Sequence, residues 1–462
     1  MPETSQPLSP FNVNRWFPSD FHRGPNIVVW IGLLSTFIAV FIKLWTPTSI
    51  NRFPESLATL LFLGILVHQW RVLKREPIVW LLFLFILVPI LLFGIHYLQS
   101  PETALAYEST DKMARLMLFL PFGWWLGNSP RTWYTFFAIA LFGFMIGVFV
   151  NPEFSDSLAK ALDGQRAGWG LINWQHTAMY SGTALIAALC FGPTILSATN
   201  KRARFVGGLL FGIALLWAIA GVITTQTRAT WLGLAICGVI ATLGTLIWII
   251  RSKNNKHRNK AIITLGILTI IVLGVVPITA KPVLERFQTE MTVVEPLLAG
   301  DFENIPPNSM GVRLETWIIA AQWIEKRPFT GWGGDVRDTA ISSSEKLSPF
   351  VECCIRHFHN TFIEFTISYG FIGLLTLLAV FIYMLARSIN LWKAGCASTM
   401  LVTFTALITL YYFVINIFES YLFFWSGAFI ISIAYAPITS CILRANLTSI
   451  KNKRIEHQVT AR

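Results

Sequence analysis

The sequence predicts an all-α integral membrane protein with about 12 transmembrane helices and one large, partly helical loop. Three observations predict it. Hydrophobic residues make up 54% of the chain and charged residues only 13%, where a soluble domain carries about 25% charged residues. The apolar residues come in long blocks of about 20 residues, the length that crosses a bilayer core at a rise of about 1.5 Å per residue. Basic residues alternate between the ends of successive blocks, as they do when every second connection lies in the cytoplasm.

Taken in order, the blocks cover about 27–45, 54–70, 78–98, 113–127, 131–150, 173–197, 205–224, 229–250, 261–279, 370–390, 397–418 and 420–443. The blocks at 54–70 and 113–127 are short, which leaves tilted, kinked and partly re-entrant geometries open. Residues 1–26 are polar and no small-residue cleavage site follows them, so the first block is expected to stay in the membrane. The organisation expected is a cytoplasmic segment 1–26, helices 1–9 over 27–279, a loop over 280–369, helices 10–12 over 370–443 and a cytoplasmic tail 444–462. No fixed-period repeat or low-complexity tract interrupts it.

Charge sets the orientation. The clusters Arg71/Lys74/Arg75, Lys201/Arg202/Arg204 and Arg251/Lys253/Lys256/Arg258/Lys260 fall in alternate connections, as do Arg131, Arg387/Lys393 and the tail. That places roughly 21 basic residues on one side against roughly 7 on the other, and puts both termini inside. The net charge of +12 is then a topology signal and implies membrane lipids, not nucleic acid, as surroundings. The same alternation puts residues 280–369 outside. This segment is rich in acids such as Glu290, Asp301, Glu315 and Asp335, and carries apolar residues at helical spacing (Val312, Trp317, Ala320, Ile324). A loop this long is more often functional than filler.

The cysteines carry little. Cys190, Cys237, Cys396 and Cys441 lie in or beside apolar helices, where free Cys behaves as a small hydrophobe. Cys353 and Cys354 are neighbours, and a bond between neighbours is strained.

The outer half gathers cations and a histidine pair. Arg166 sits in G-Q-R-A-G-W-G, Arg228 in T-Q-T-R-A-T-W, and Arg313 in G-V-R-L-E-T-W. Guanidinium groups match the forked oxygens of phosphate and cannot lose their charge, so several converging would suit a pyrophosphate. Each also has a plainer reading. Arg228 can snorkel to the interface, Arg166 can pair with Asp163, and Arg313 can pair with Glu315 or Glu290. His357 and His359 are two apart, on one face of an extended segment, and could be half a metal site. No further His or Cys in the outer loops completes a ligand set, so no metal is expected. Asn360 and Thr361 are good helix starters, and Thr361–Glu364 has capping-box spacing. A helix start attracts anions and disfavours imidazolium, which would keep His359 neutral and able to act as a base.

The run His359-Asn360-Thr361-Phe362-Ile363-Glu364, followed by Gly370-Phe371-Ile372-Gly373-Leu374-Leu375, resembles the signature of the O-antigen ligase and polymerase superfamily. Arg327-Pro328-Phe329-Thr330-Gly331-Trp332-Gly333 resembles its P-x-x-G-W-G segment, and Arg228-Ala229-Thr230-Trp231 matches its arginine segment. Asp111-Lys112-Met113-Ala114-Arg115 and Arg166-Ala167-Gly168 are similar to ligase segments. The resemblance implies a donor glycan on undecaprenyl pyrophosphate and an acceptor hydroxyl on lipid A-core. It further implies inverting, metal-independent transfer with no cofactor at the periplasmic face of a bacterial inner membrane. The outer segments contain no D-x-D pair to hold a metal–diphosphate, which leaves the cationic role to Arg166, Arg228 and Arg313. His359 is the expected base. His357, Asn360 and Glu364 are expected in supporting roles, and Arg115 either contacts the donor or pairs with Asp111.

Two enzyme rivals share the donor: an O-antigen polymerase, and an oligosaccharyltransferase acting on protein. About 90 residues follow Gly373, fewer than the protein-directed transferases tend to carry. A lipid-linked glycan transporter would place ionisable residues at mid-membrane and often repeat its halves; here the charges of interest gather at one surface.

Overall fold

The computed structural model describes residues 26–196, 200–252, 308–344, 351 and 355–460, with a few single positions between 258 and 292. Side-chain surroundings are described as far as Ala445. The chain is helical with no strand among the described residues. Its main helices are α1 (Asn26–Ile42), α2 (Thr48–His68), α3 (Pro77–Gln99), α4 (Phe119–Leu126), α5 (Pro130–Phe149), α6 (Trp174–Leu196), α7 (Lys201–Thr224) and α8 (Arg228–Arg251). After them come α9 (Ser309–Lys326), α10 (Val336–Ser342), α11 (Thr361–Lys393), α12 (Thr399–Phe418) and α13 (Trp425–Thr460). Nine helices among the described residues are long and apolar enough to cross a membrane, and α1 is a shorter apolar one. The protein is therefore a multi-pass membrane protein. Helices suit that setting because each satisfies its own backbone polar groups away from water.

The bundle is built around α13. Every residue from Ser426 to Leu443 is buried, with α4, α6, α11 and α12 packed around it. Apolar burial drives little association where lipid is equally apolar, so close contact between small residues carries much of the packing. Gly123 on α4 lies so close to α13 that a Cβ there would meet Ala436 O at 2.8 Å and Thr439 Cβ at 2.7 Å. By contrast α7 and α8 leave most of their apolar surface uncovered by protein, as lipid-facing helices do.

Two expectations change, and others fall outside the described residues. The block at 113–127 is two short helices, Asp111–Arg115 and α4, joined by turns. It still runs along the middle of α13: Phe119 packs on Tyr435, Gly123 on Ala436, and Asn128 meets Cys441. Pro121 removes one amide donor from this segment, and Gly127 ends it in the left-handed conformation at φ 62°. The helix expected from residue 370 begins at Thr361 instead and kinks at Gly370 (φ 64°, ψ −170°). The body of the helix expected at 261–279, most of 280–307, and Cys353 and Cys354 lie outside the described residues.

The kink at Gly370 is tied to the Pro328–Gly334 segment. Phe371 N donates to Pro328 O at 2.8 Å, Trp332 N to Ile367 O at 3.0 Å, and Gly333 N to Ser368 O at 2.9 Å. A Cβ on Gly370 would lie 2.1 Å from the Phe329 carbonyl carbon, and one on Gly331 (φ 63°) 2.5 Å from Ser368 C. Only glycine fits both places. This strap fastens α9 and α10 to the start of α11 and so fixes the segment that carries the two histidines.

Candidate active site

The site forms where α11 begins and α12 ends. Asn360 caps α11, its Oδ1 accepting from Phe362 N at 2.9 Å and Ile363 N at 3.2 Å. Glu364 does not close a box with Thr361. Its Oε1 accepts from Phe358 N at 2.8 Å and from Ser420 Oγ at 3.1 Å, while Thr361 Oγ1 donates to Asn416 Oδ1. The cap consumes two free N–H groups of the helix start. They are therefore not available to an anion as the spacing suggests.

The carboxylate at the centre is Glu419, the residue that joins α12 to the Tyr421–Phe423 turn. Its side chain is 2% exposed. Oε1 lies 3.0 Å from His357 Nε2 and also accepts from Ser420 N at 3.0 Å; Oε2 lies 3.0 Å from His359 Nδ1. The two imidazole centroids are 3.9 Å apart. The rings share a face as expected, but His359 is not extended: its backbone is left-handed, φ 50°. Asn360 N donating to Ser420 Oγ at 3.1 Å and Trp317 Nε1 donating to Phe358 O at 2.8 Å hold that turn on either side. A non-glycine residue in this region persists only where its surroundings enforce it.

The electrostatics follow from this sharing. Burial pushes the Glu419 carboxyl up, but the hydrogen bonds from both imidazoles outweigh it and hold the group well below the usual carboxylate range. Burial lowers His357, and its bond to Glu419 more than restores it, so its pKa ends above the ordinary value. At His359 burial wins. Glu419 raises it, His357 and Arg313 lower it, and it ends below the ordinary value. The pairing thus favours the ionised carboxylate, and of the two rings it is His359 whose neutral form is favoured.

Beside Glu419 opens a cavity of about 440 Å³, lined by Arg166, Arg228, Arg313, Gln175, Asn308, Tyr421 and Glu419 itself, among others. Residues far apart in sequence meet here. Arg166 Nε donates to Thr225 O at 2.9 Å, and its guanidinium lies over the Trp174 ring with 4.4 Å to the centroid. Arg228 is the first residue of α8, following the turn at Gln226 (φ 46°). Arg313, one turn into α9, donates from Nε to Phe418 O at 3.2 Å and from Nη1 to Ser309 O at 2.9 Å. The three arginines that the sequence singles out therefore face one cavity with the histidine-bearing carboxylate on its wall. His359 is not itself a lining residue; it reaches the cavity through Glu419. Its side chain is 15% exposed.

Arg115 stands apart. It pairs with Asp111 one turn away on its own helix, an ion pair on the exposed surface, and does not line the cavity. Glu419 was missed by sequence reasoning because only His and Cys were sought as partners for the histidine pair. The signal was present: one acid in a junction between two apolar blocks, N-I-F-E-S-Y, where a carboxylate is costly without a task. With Glu419 added, His357, His359 and Glu419 present three ligand-type atoms within 4.8 Å of one another, so the set of metal-ligating groups is larger than the sequence suggests.

No curated protein matches this chain. The family model described as O-antigen ligase matches residues 213–378, a span that includes Arg228, Arg313, the Pro328–Gly334 strap, both histidines and the Gly370 kink. Residues 213–378 are thus similar to the O-antigen ligase family, a likeness that supports a ligase- or polymerase-type function in general terms.

Proposed function

We propose that this protein is an O-antigen ligase that moves a glycan from undecaprenyl pyrophosphate to a sugar hydroxyl of lipid A-core in lipopolysaccharide biosynthesis. The observation that carries the proposal is the cavity in which Arg166, Arg228, Arg313 and the histidine-bearing Glu419 meet. The reading places it in a bacterial inner membrane with both termini cytoplasmic and the cavity at the periplasmic face, as the basic-residue alternation favours.

The undecaprenyl chain lies among lipid-facing helices, and its pyrophosphate sits against the three arginines. Negative charge grows on the leaving diphosphate as the anomeric C–O bond breaks, and cations already in place stabilise it without reorganising. His359 with its proton on Nδ1 donates to Glu419 and keeps Nε2 bare. Nε2 takes the proton of the acceptor hydroxyl as the oxygen attacks the opposite face of the anomeric carbon, which inverts its configuration. The imidazolium that forms is stabilised by Glu419, as a carboxylate does for a histidine base in acyl transfer. The transfer requires no metal. Asn360 and Glu364 hold the turn that aims His359, and Arg115 has no part in donor binding.

The test is transfer in vitro with purified protein, undecaprenyl-pyrophosphate glycan and lipid A-core, with EDTA present. The expected result is glycan on lipid A-core with the wild type and a loss of roughly 10²–10⁴-fold with His359→Ala, the usual worth of a positioned base. Lengthening of the glycan on its carrier, with lipid A-core unmodified, identifies a polymerase instead. Full activity in the variant removes His359 from the mechanism.

A further inference from the structure

We infer that His357, His359 and Glu419 form a binding site for a zinc-type divalent cation whose occupancy switches the base off. The inference rests on the proposed reaction for its effect on transfer, but the binding itself does not. His357 Nε2 and His359 Nδ1 both converge on one carboxylate, each 3.0 Å from an oxygen of it, and all three ligand atoms lie within 4.8 Å of one another. In a tetrahedral zinc site with bonds of about 2.0–2.2 Å, neighbouring ligand atoms stand about 3.3 Å apart. Whichever Glu419 oxygen serves as ligand, its 3.0 Å edge to one imidazole nitrogen is within a few tenths of an ångström of that value, and with the other edges at no more than 4.8 Å small ring and carboxylate rotations close the rest. Two imidazoles and a carboxylate are a ligand set that zinc accepts, with its fourth position left for water. Glu419 already has an outer partner to orient it, Ser420 N at 3.0 Å.

The consequence for the base is chemical. A neutral imidazole carries one proton. In the metal-free arrangement that proton is on Nδ1, held by Glu419 Oε2, and Nε2 is bare. A metal on Nδ1 displaces the proton to Nε2 and uses the Nδ1 lone pair for coordination. Neither nitrogen can then accept the proton of an alcohol. Base and metal site are thus two exclusive uses of one set of atoms. A positive ion at Glu419 also draws the donor's pyrophosphate toward the wall that should stabilise the imidazolium.

The experiment is titration of the detergent-solubilised full chain with Zn²⁺ by calorimetry, alongside the transfer assay. Expected are about one zinc per chain, inhibition that EDTA reverses, and binding lost in both His357→Ala and Glu419→Gln. Should either variant fail to fold, Co²⁺ bound to the wild type is read instead: visible d–d bands and X-ray absorption showing imidazole nitrogen ligation support the site. Absent stoichiometric binding, binding undiminished in folded variants, or Co²⁺ without imidazole ligands overturns it. Zinc held by these ligands with transfer undiminished overturns the switch. If no transfer occurs under any condition, the proposed reaction fails, while calorimetry and the cobalt spectrum still decide the site.

Discussion

At Glu419 one carboxylate divides its two oxygens between two imidazoles, and the division makes the histidines unequal. His357 gains enough from its bond to overcome burial and ends raised; at His359 burial outweighs Glu419, with His357 and Arg313 adding to the lowering, and it ends depressed. A base must be unprotonated to act, so the acid limb of a pH–rate profile marks where His359 gains its proton. With His359 depressed, transfer should hold as pH falls through the ordinary imidazole value of about 6.5 and decline only below it. Glu419→Gln removes the charge that raises His359, so the limb should move to lower pH still. The plateau rate should drop by roughly 10²–10⁴-fold, because the imidazolium loses its counter-charge and the ring its fixed tautomer. A merely structural role for Glu419 would change the amount of active protein and leave the limb in place. A limb that rises in the variant contradicts the assignment of Glu419 as the group that holds His359.

At the scale of elements, the site depends on a backbone crossing between the Pro328–Gly334 strap and the Gly370 kink. Gly370 adopts φ 64° and ψ −170°. That region is in effect reserved for glycine. The Phe329 carbonyl lies 2.1 Å from where a Cβ would stand. Gly370→Ala should destabilise the protein by about 2 kcal/mol or more and lower the thermal midpoint in detergent by several degrees. Gly94→Ala, inside α3 with nothing within 4 Å of its Cβ, should leave the midpoint unchanged or raise it. Equal midpoints for the two variants would contradict the crossing. The sequence shows these glycines as two separate motifs, and nothing in their separation says that they touch. It does reveal the start of α11, because Asn360 is a good cap and Thr361 follows it. The apolar pattern nevertheless sets the helix start at residue 370. Thr361 and Glu364 are buried polar residues, stabilised by Asn416, Ser420 and Phe358 N, and hydropathy counts such residues as exposed. The short helix α4 escapes a length criterion for the converse reason: α13 covers it so fully that eight residues suffice.

At the scale of the whole molecule, the residues of the cavity come from four places in the chain: the connection before α6, the start of α8, the start of α9, and the end of α12. Sequence can place these at one end of the bundle, since alternate apolar blocks bring every second connection to the same side. It cannot bring them together, because that depends on which helices are neighbours, and neighbours such as α8 and α12 are separated by the whole inserted segment. The end-to-end arrangement makes a prediction that separates surface chemistry from transport. Exposed Cys396 follows α11, at the opposite end of α12 from Glu419. The helix between them has 20 residues. At a rise of about 1.5 Å per residue it spans about 30 Å, the thickness of a bilayer core. In cells carrying Cys353→Ser and Cys354→Ser, a membrane-impermeant maleimide should label Arg313→Cys and Arg166→Cys only from the periplasm. Cys396 should react only from the cytoplasm, in inverted vesicles. A transporter that alternately exposes its site would let the cavity positions react from both sides. Labelling of Cys396 from the periplasm would reverse the orientation read from the basic residues and leave the cavity facing the cytoplasm, where lipid A-core could not meet the donor as proposed.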